Sequence, residues 1–168
     1  KGDFAYTVVR QYLFDEAEQV RLEALRECSY IPIRDASGKI LQEEAYHLLH
    51  SKGLLQRLGS ATNESRTRMQ AAVDAAFPQA LGMFELLGSE ENLIRSGIFP
   101  GNKELQRQWL QRVLPVFRNV ALSVPVNASG VPTCVPDLGG RRGLHLPYLA
   151  QAIADMQQVY QSEPGAAW

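Results

Sequence analysis

The chain is poor in the residues on which most site chemistry depends. It has three histidines, His47, His50 and His145, and two cysteines, Cys28 and Cys134. The cysteines lack metal-type spacing, so a zinc knuckle is excluded, and reduced, unpaired thiols in a cytoplasmic protein are expected. A net charge of −1 and a pI near 6.4 leave no surplus of Lys and Arg, which argues against nucleic acid as a partner. No apolar run approaches the ~20 residues that cross a bilayer, so no membrane span is expected. The opening KGDFAYTVVRQYLFD has no basic segment followed by an apolar core, so no secretory leader is visible. There is no nucleophile elbow and no Cys–His signature. GSEENLIRSG and LGGRRG lack the Lys-Ser/Thr that would make a phosphate loop specific. Strand-like alternation is almost missing.

Helical periodicity is what remains. With 45% apolar and 21% charged residues, the chain has enough for one ordinary folded domain. Asp3 suits an N-cap, and Phe4, Val8, Tyr12, Leu13, Ala17, Val20, Ala24 and Leu25 recur at helical steps over 3–28. SYIPIRDASG (29–38) reads as a break because of Pro32 and Gly38. A second helix is predicted over 39–58, closed by Gly59, with Ile40, Leu41, Leu48, Leu54, Leu55 and Leu58 inward. A third, over about 64–87, carries Met69, Val73, Ala76, Phe77, Leu81, Phe84 and Leu87, with a kink or a division at Pro78. Residues 88–102 read as loop or short turns. The next helix, 103–122, turns Leu105, Trp109, Leu110, Val113, Phe117 and Val120 inward. Residues 123–142 read as an irregular extended loop, and 146–161 as a last helix with Pro147 in its first turn. The aromatics Phe4, Tyr12, Phe14, Phe77, Phe84, Trp109 and Phe117 are helix-spaced and read as core. The class is all-α, a helical bundle.

One stretch carries candidate chemistry. In EEAYHLLHS (43–51), Glu44 and His47 are three apart and Glu43 and His47 four apart. On a helix, acid and imidazole then share a face. A Glu-x-x-His pair is half of the ligand set of a di-iron carboxylate bundle, which needs two such pairs and two further glutamates. Arg142 stands three before His145 and His47 three before His50, so the second pair is missing from this chain. Tyr46 and His47 are expected instead to join a buried, hydrogen-bonded polar network. GGRRGLH (139–145) could hold an anion ahead of a helix N-terminus, but a solvated loop is the preferred reading.

A resemblance then becomes specific. GDFAYTVVRQYLFD at 2–15, EEAYHLLHSKGLLQRLGSATNES at 43–65 and RRGLHLPYLAQAIADMQQVYQSEPGAAW at 141–168 resemble the C subunits of bacterial ring-1,2-phenylacetyl-CoA epoxidases (phenylacetate-CoA oxygenases). The matching positions are Arg10, Gln11 and Tyr12; Glu43, Tyr46, His47 and Ser51; Arg57, Leu58 and Gly59; Met156 and Gln157; Pro164, Gly165 and Trp168. The match runs end to end, with gaps mainly in 85–140. Departures are Leu146, Pro147 and Tyr148 after His145, and Gly82 where members often carry Glu. The family's glutamate falls on Glu43, so Glu44 and its three-residue spacing are this chain's own.

The resemblance implies a single ferritin-like helical domain over 1–168, lacking a first pair of helices ahead of Gly2. About five helices would then be the C-terminal part of the bundle. The exposed faces of 3–28 and 39–58 would need cover from the missing segment or a second copy. It implies a non-catalytic structural subunit, with no metal or cofactor of its own. Glu43, Glu44 and His47 would be relics of a metal site. The catalytic A subunit would hold the di-iron centre, and NADPH would deliver electrons through a reductase. Two alternatives stay open: a catalytically active di-iron oxygenase subunit whose site is filled out by residues outside this chain, and an unrelated helical interaction module.

Overall fold

The computed structural model describes residues 2–163 and residue 165. Pro164 and Trp168 of the terminal motif lie outside the described residues. The helices are α1 (Phe4–Arg26), α2 (Ile31–Gly59), α3 (Asn63–Gly82), α4 (Glu90–Arg95), α5 (Asn102–Asn119) and α6 (Pro147–Ser162), with a 3-10 turn at Gly140–Arg142. Among the described residues there is no strand, only an isolated antiparallel bridge between Val126 and Pro132. The chain divides into two compact units, Lys1–Leu138 and Gly139–Trp168.

In the first unit α1 is the central element and packs against α2, α3 and α5. Asp3 caps it, its carboxylate accepting the Tyr6 N–H at 3.0 Å, and Arg26 stands in the last turn where the helix dipole favours a cation. Val8, Tyr12, Leu13, Ala17 and Val20 are buried along one stripe, as their spacing predicts. Every inward residue predicted for α5 is buried. Trp109 joins three helices: its ring stacks on Phe77 of α3 with centroids 5.6 Å apart, and its indole N–H donates to the Leu13 carbonyl of α1 at 3.1 Å. Phe117 meets Tyr12 edge-on at 5.7 Å.

Several features differ from the sequence expectation: α3 ends at Gly82, short of 87, and Ile40, expected inward, is 44% exposed. Residues 31–38 are not a break; α2 begins at Ile31 and runs through Gly38. Pro32 sits in the first turn, where a missing N–H costs nothing, and nothing lies within 4 Å of where a Gly38 side chain would start. Pro78 neither ends nor divides α3. Its carbonyl accepts the Asp137 N–H at 2.9 Å from the following loop. Gly59 is the last residue of α2 and serves close packing: a Cβ there would stand 2.9 Å from Val120 Cβ. Phe4 and Phe14 are exposed, not core.

The start of α2 is less covered than its end. Ile33, Ser37, Ile40, Glu44, Leu48, Ser51 and Leu55 follow one helical face at three- and four-residue steps. Ser37, Ser51 and Leu55 are buried, whereas Ile33 and Ile40 are exposed. In the second unit α6 has Pro147 in its first turn, as predicted, and buries no residue.

Candidate functional site

The buried polar groups of the first unit gather along α1. Helical spacing places Asp15 and Glu16 three and four residues after Tyr12, inside the apolar stripe, and they are only 1% and 4% exposed. Such groups must be partnered, because a buried unpaired carboxylate is costly. α2 and α5 supply the partners. The Ser51 hydroxyl donates to Asp15 Oδ2 at 2.7 Å, and the Gln11 side-chain amide donates to Oδ1 at 2.5 Å. The Tyr12 hydroxyl reaches Glu16 Oε1 at 3.5 Å. About two turns further along α1, Arg112 grips both oxygens of Glu23, one of them at 3.2 Å. The Gln19 amide donates to the same carboxylate at 2.8 Å, while its carbonyl oxygen is buried without a hydrogen-bond partner.

These contacts set the electrostatics. Burial pushes the Glu16 carboxyl above its ordinary value, and the charges of Lys52 and Arg112 oppose that rise. Burial, then the neighbouring Glu16 charge, drives the Tyr12 phenol far above its usual range, so it is a permanent donor. At Glu23 burial also favours the neutral acid, but hydrogen bonds from Arg112 and Gln19 prevail and the carboxyl lies below its ordinary value. The Arg112 guanidinium is held more firmly protonated by Glu23.

The residues singled out in EEAYHLLHS lie elsewhere. His47 Nδ1 is 3.2 Å from Glu44 Oε2, with side chains 63% and 24% exposed. Glu43, His50 and His145 are exposed. Tyr46 is 79% exposed, so the expectation that Tyr46 and His47 enter a buried network is corrected. The network exists four residues on, at Ser51. His47 is exposed and Glu44 half-buried at their level, and the buried polar contact on this face forms one turn on, where Ser51 meets Asp15. The signal for it was in the sequence: two acids at core positions of α1 need donors from facing helices.

A di-iron centre calls for about four carboxylates and two imidazoles aimed at one point. Among the described residues no group of three or more His, Cys, Asp or Glu side chains could hold a metal ion. Asp15 and Glu23 already accept from Ser51, Gln11, Gln19 and Arg112, and no imidazole reaches them. The described residues therefore do not fit that group. Gly140–Arg142, in the segment considered for an anion, is an exposed turn flanked by left-handed Gly139 and Gly143.

A concavity of about 720 Å³ runs beside α5, lined by Leu110, Leu114, Lys103, Glu104 and Arg107 among others. Arg107 holds the exposed Glu104 carboxyl down to about 2 through paired hydrogen bonds.

This architecture, helices around a central α1 with carboxylates at its heart, is that of an all-α, ferritin-like bundle. The chain belongs to the phenylacetic acid catabolic protein family, whose model matches residues 1–168. It is similar to the C subunit of the 1,2-phenylacetyl-CoA epoxidase of Escherichia coli (strain K12), with 29% identity over 167 residues. That match covers 99% of this chain and 65% of the relative, so the chain spans a little under two thirds of that protein's length. No helix among the described residues is long and apolar enough to cross a membrane.

Proposed function

We propose that this chain is a non-catalytic structural subunit of a multicomponent di-iron phenylacetyl-CoA 1,2-epoxidase acting in aerobic phenylacetate degradation in the cytoplasm. It pairs with a catalytic A subunit that carries the iron, and a reductase supplies electrons from NADPH. The observation that carries this reading is the similarity to a C subunit along the whole chain. The donor sets support it: Asp15 accepts from Ser51, and Glu23 is held by Arg112 within the chain. The subunit's part in the reaction is to bind and shape its partner.

Co-expression with an A subunit tests this. A stable complex is expected, with iron confined to the A subunit and epoxidation of phenylacetyl-CoA lost when this chain is left out. Absence of a complex at micromolar concentration would overturn the reading. The 3.2 Å contact between Glu44 and His47 favours a second reading, a catalytic subunit whose site is filled out by residues outside this chain. Iron bound to the full-length protein and lost in Glu44→Ala and His47→Ala would establish that reading instead.

A further inference from the structure

We propose that the concavity beside α5 is a binding site for a small organic anion with an extended apolar body, its charge met by Lys103. The concavity of about 720 Å³ lies wholly within the first unit. Small-molecule sites measure roughly 300–1,000 Å³. Three segments line it: the stretch from α4 to the turn before α5, one side of α5 itself, and the loop at 129–132. The fold sets these walls without a ligand. Asn127 Oδ1 accepts the Ser129 N–H at 2.9 Å and the Val131 N–H at 3.0 Å, and the Asn127 N–H donates to the Val131 carbonyl at 2.8 Å. Gly130, at φ +77°, brings this turn against α5: a Cβ there would stand 3.5 Å from Leu114 Cδ1. Glu90 accepts the Asn102 N–H and so ties α4 to the start of α5. A site formed before its ligand arrives loses little in ordering the protein on binding.

The lining chemistry selects the ligand. Ile94, Leu110, Leu114 and Val131 offer apolar contact, and Ile94 and Val131 remain exposed. Four charged residues line the concavity. Arg107 and Glu104 satisfy each other through two hydrogen bonds, at 2.6 and 2.8 Å. Glu90 is buried and engaged by the Asn102 N–H. That leaves Lys103, which among the described residues pairs with no carboxylate. A carboxylate head gains a charge-assisted hydrogen bond there, and an ammonium head would meet a lone cation. The size argues against a helix of another chain as the occupant. A helix with its side chains is roughly 10–12 Å across, so two turns fill roughly 850–1,200 Å³, more than the concavity holds.

Isothermal titration calorimetry of the full chain with dodecanoate, below its micellar concentration, tests this. A single equivalent should bind. Lys103→Gln should weaken binding about 10-fold, as loss of a hydrogen bond to a charged group does. Gln111→Trp, at an exposed lining position, should abolish binding by filling the space with an indole ring. Circular dichroism should show native helix content in both variants. Dodecyltrimethylammonium, the same alkyl chain with a cationic head, should bind at least about 10-fold more weakly than dodecanoate. No binding by the parent chain would overturn the inference. So would equal affinity for the two heads, or an affinity for dodecanoate that both variants share, since the alkyl chain would then lie on exposed apolar surface elsewhere. A homodimer or a complex with the A subunit that is lost in Gln111→Trp, while the parent takes up no dodecanoate, would assign the concavity to a protein surface and overturn the inference.

Discussion

Asp15 is the residue with most to lose. It is 1% exposed and accepts from Gln11 and Ser51, one donor on each oxygen. Asp15→Asn keeps the shape but turns one acceptor into an amide donor facing a donor, so it should cost about 1–3 kcal/mol. Urea unfolding would show this as a lower midpoint at unchanged slope; an unchanged midpoint would remove Asp15 from the stability argument. Glu16 and Glu23, about two turns apart along one face of α1, should respond to pH in opposite senses. The Glu16 carboxyl is raised above 4.5, so folding favours its acid form, and its ionisation costs stability as pH climbs through the folded value. Glu16→Gln should therefore melt higher than the parent at pH 7, the gap closing below pH 4.5. The Glu23 carboxyl is lowered from 4.5, so its contribution is whole above that pH and lost as pH falls through the folded value. Glu23→Gln should melt lower at pH 7, by about 0.5–1 kcal/mol for a partly exposed ion pair, the gap again closing in acid. Thermal melts of both variants from pH 7 to pH 4 read the two signs directly.

At the scale of elements, what could be read from sequence was what local periodicity governs. The α5 stripe from Leu105 to Phe117 and the α3 stripe from Met69 to Leu81 are buried as predicted, because a helix side chosen by apolar spacing needs no knowledge of its neighbour. Residues 31–38 were misread because Pro32 and Gly38 punctuate chains in general, and only the location of the helix start tells a first-turn proline from a breaker. The pairing of Ser51 with Asp15 was not legible as a pair, since 36 residues separate them and the register of α1 on α2 decides who meets whom. Gly82 belongs here too. Family resemblance marked it as a departure, and the fold gives its cause: a Cβ at that position would collide with the carbonyl oxygen of Asp137. Gly82→Ala should push the 123–138 loop off the end of α3 and cost about 1–3 kcal/mol, as overpacking does. Gly38→Ala, in open space inside α2, should stabilise by up to about 1 kcal/mol through helix propensity. Chemical denaturation of the two variants side by side separates close packing from punctuation.

For the whole molecule, the uneven cover of α2 says where stability resides and where a partner is wanted. Leu55 is fully buried at the end that meets α1 and α3, whereas Ile40, on the same helical face, is 44% exposed, and Leu49 on another side is 71% exposed. Leu55→Ala should therefore cost about 2–5 kcal/mol, the range for a buried leucine that leaves a cavity. Ile40→Ser and Leu49→Ser should change the stability of the isolated chain by no more than about 0.5 kcal/mol, because they remove little that folding buries. The same two positions belong to exposed apolar surface of the kind that contacts between subunits cover. In the presence of the A subunit the ranking should change if α2 is part of the interface: Leu49→Ser and Ile40→Ser would then weaken assembly while leaving the melting temperature of the free chain in place. Thermal melts of the free chain, set beside binding curves for the complex, keep folding and assembly apart. If Ile40→Ser destabilises the isolated chain as much as Leu55→Ala, the exposed half of α2 is core to the folded subunit itself, and its apolar side is not held in reserve for a partner.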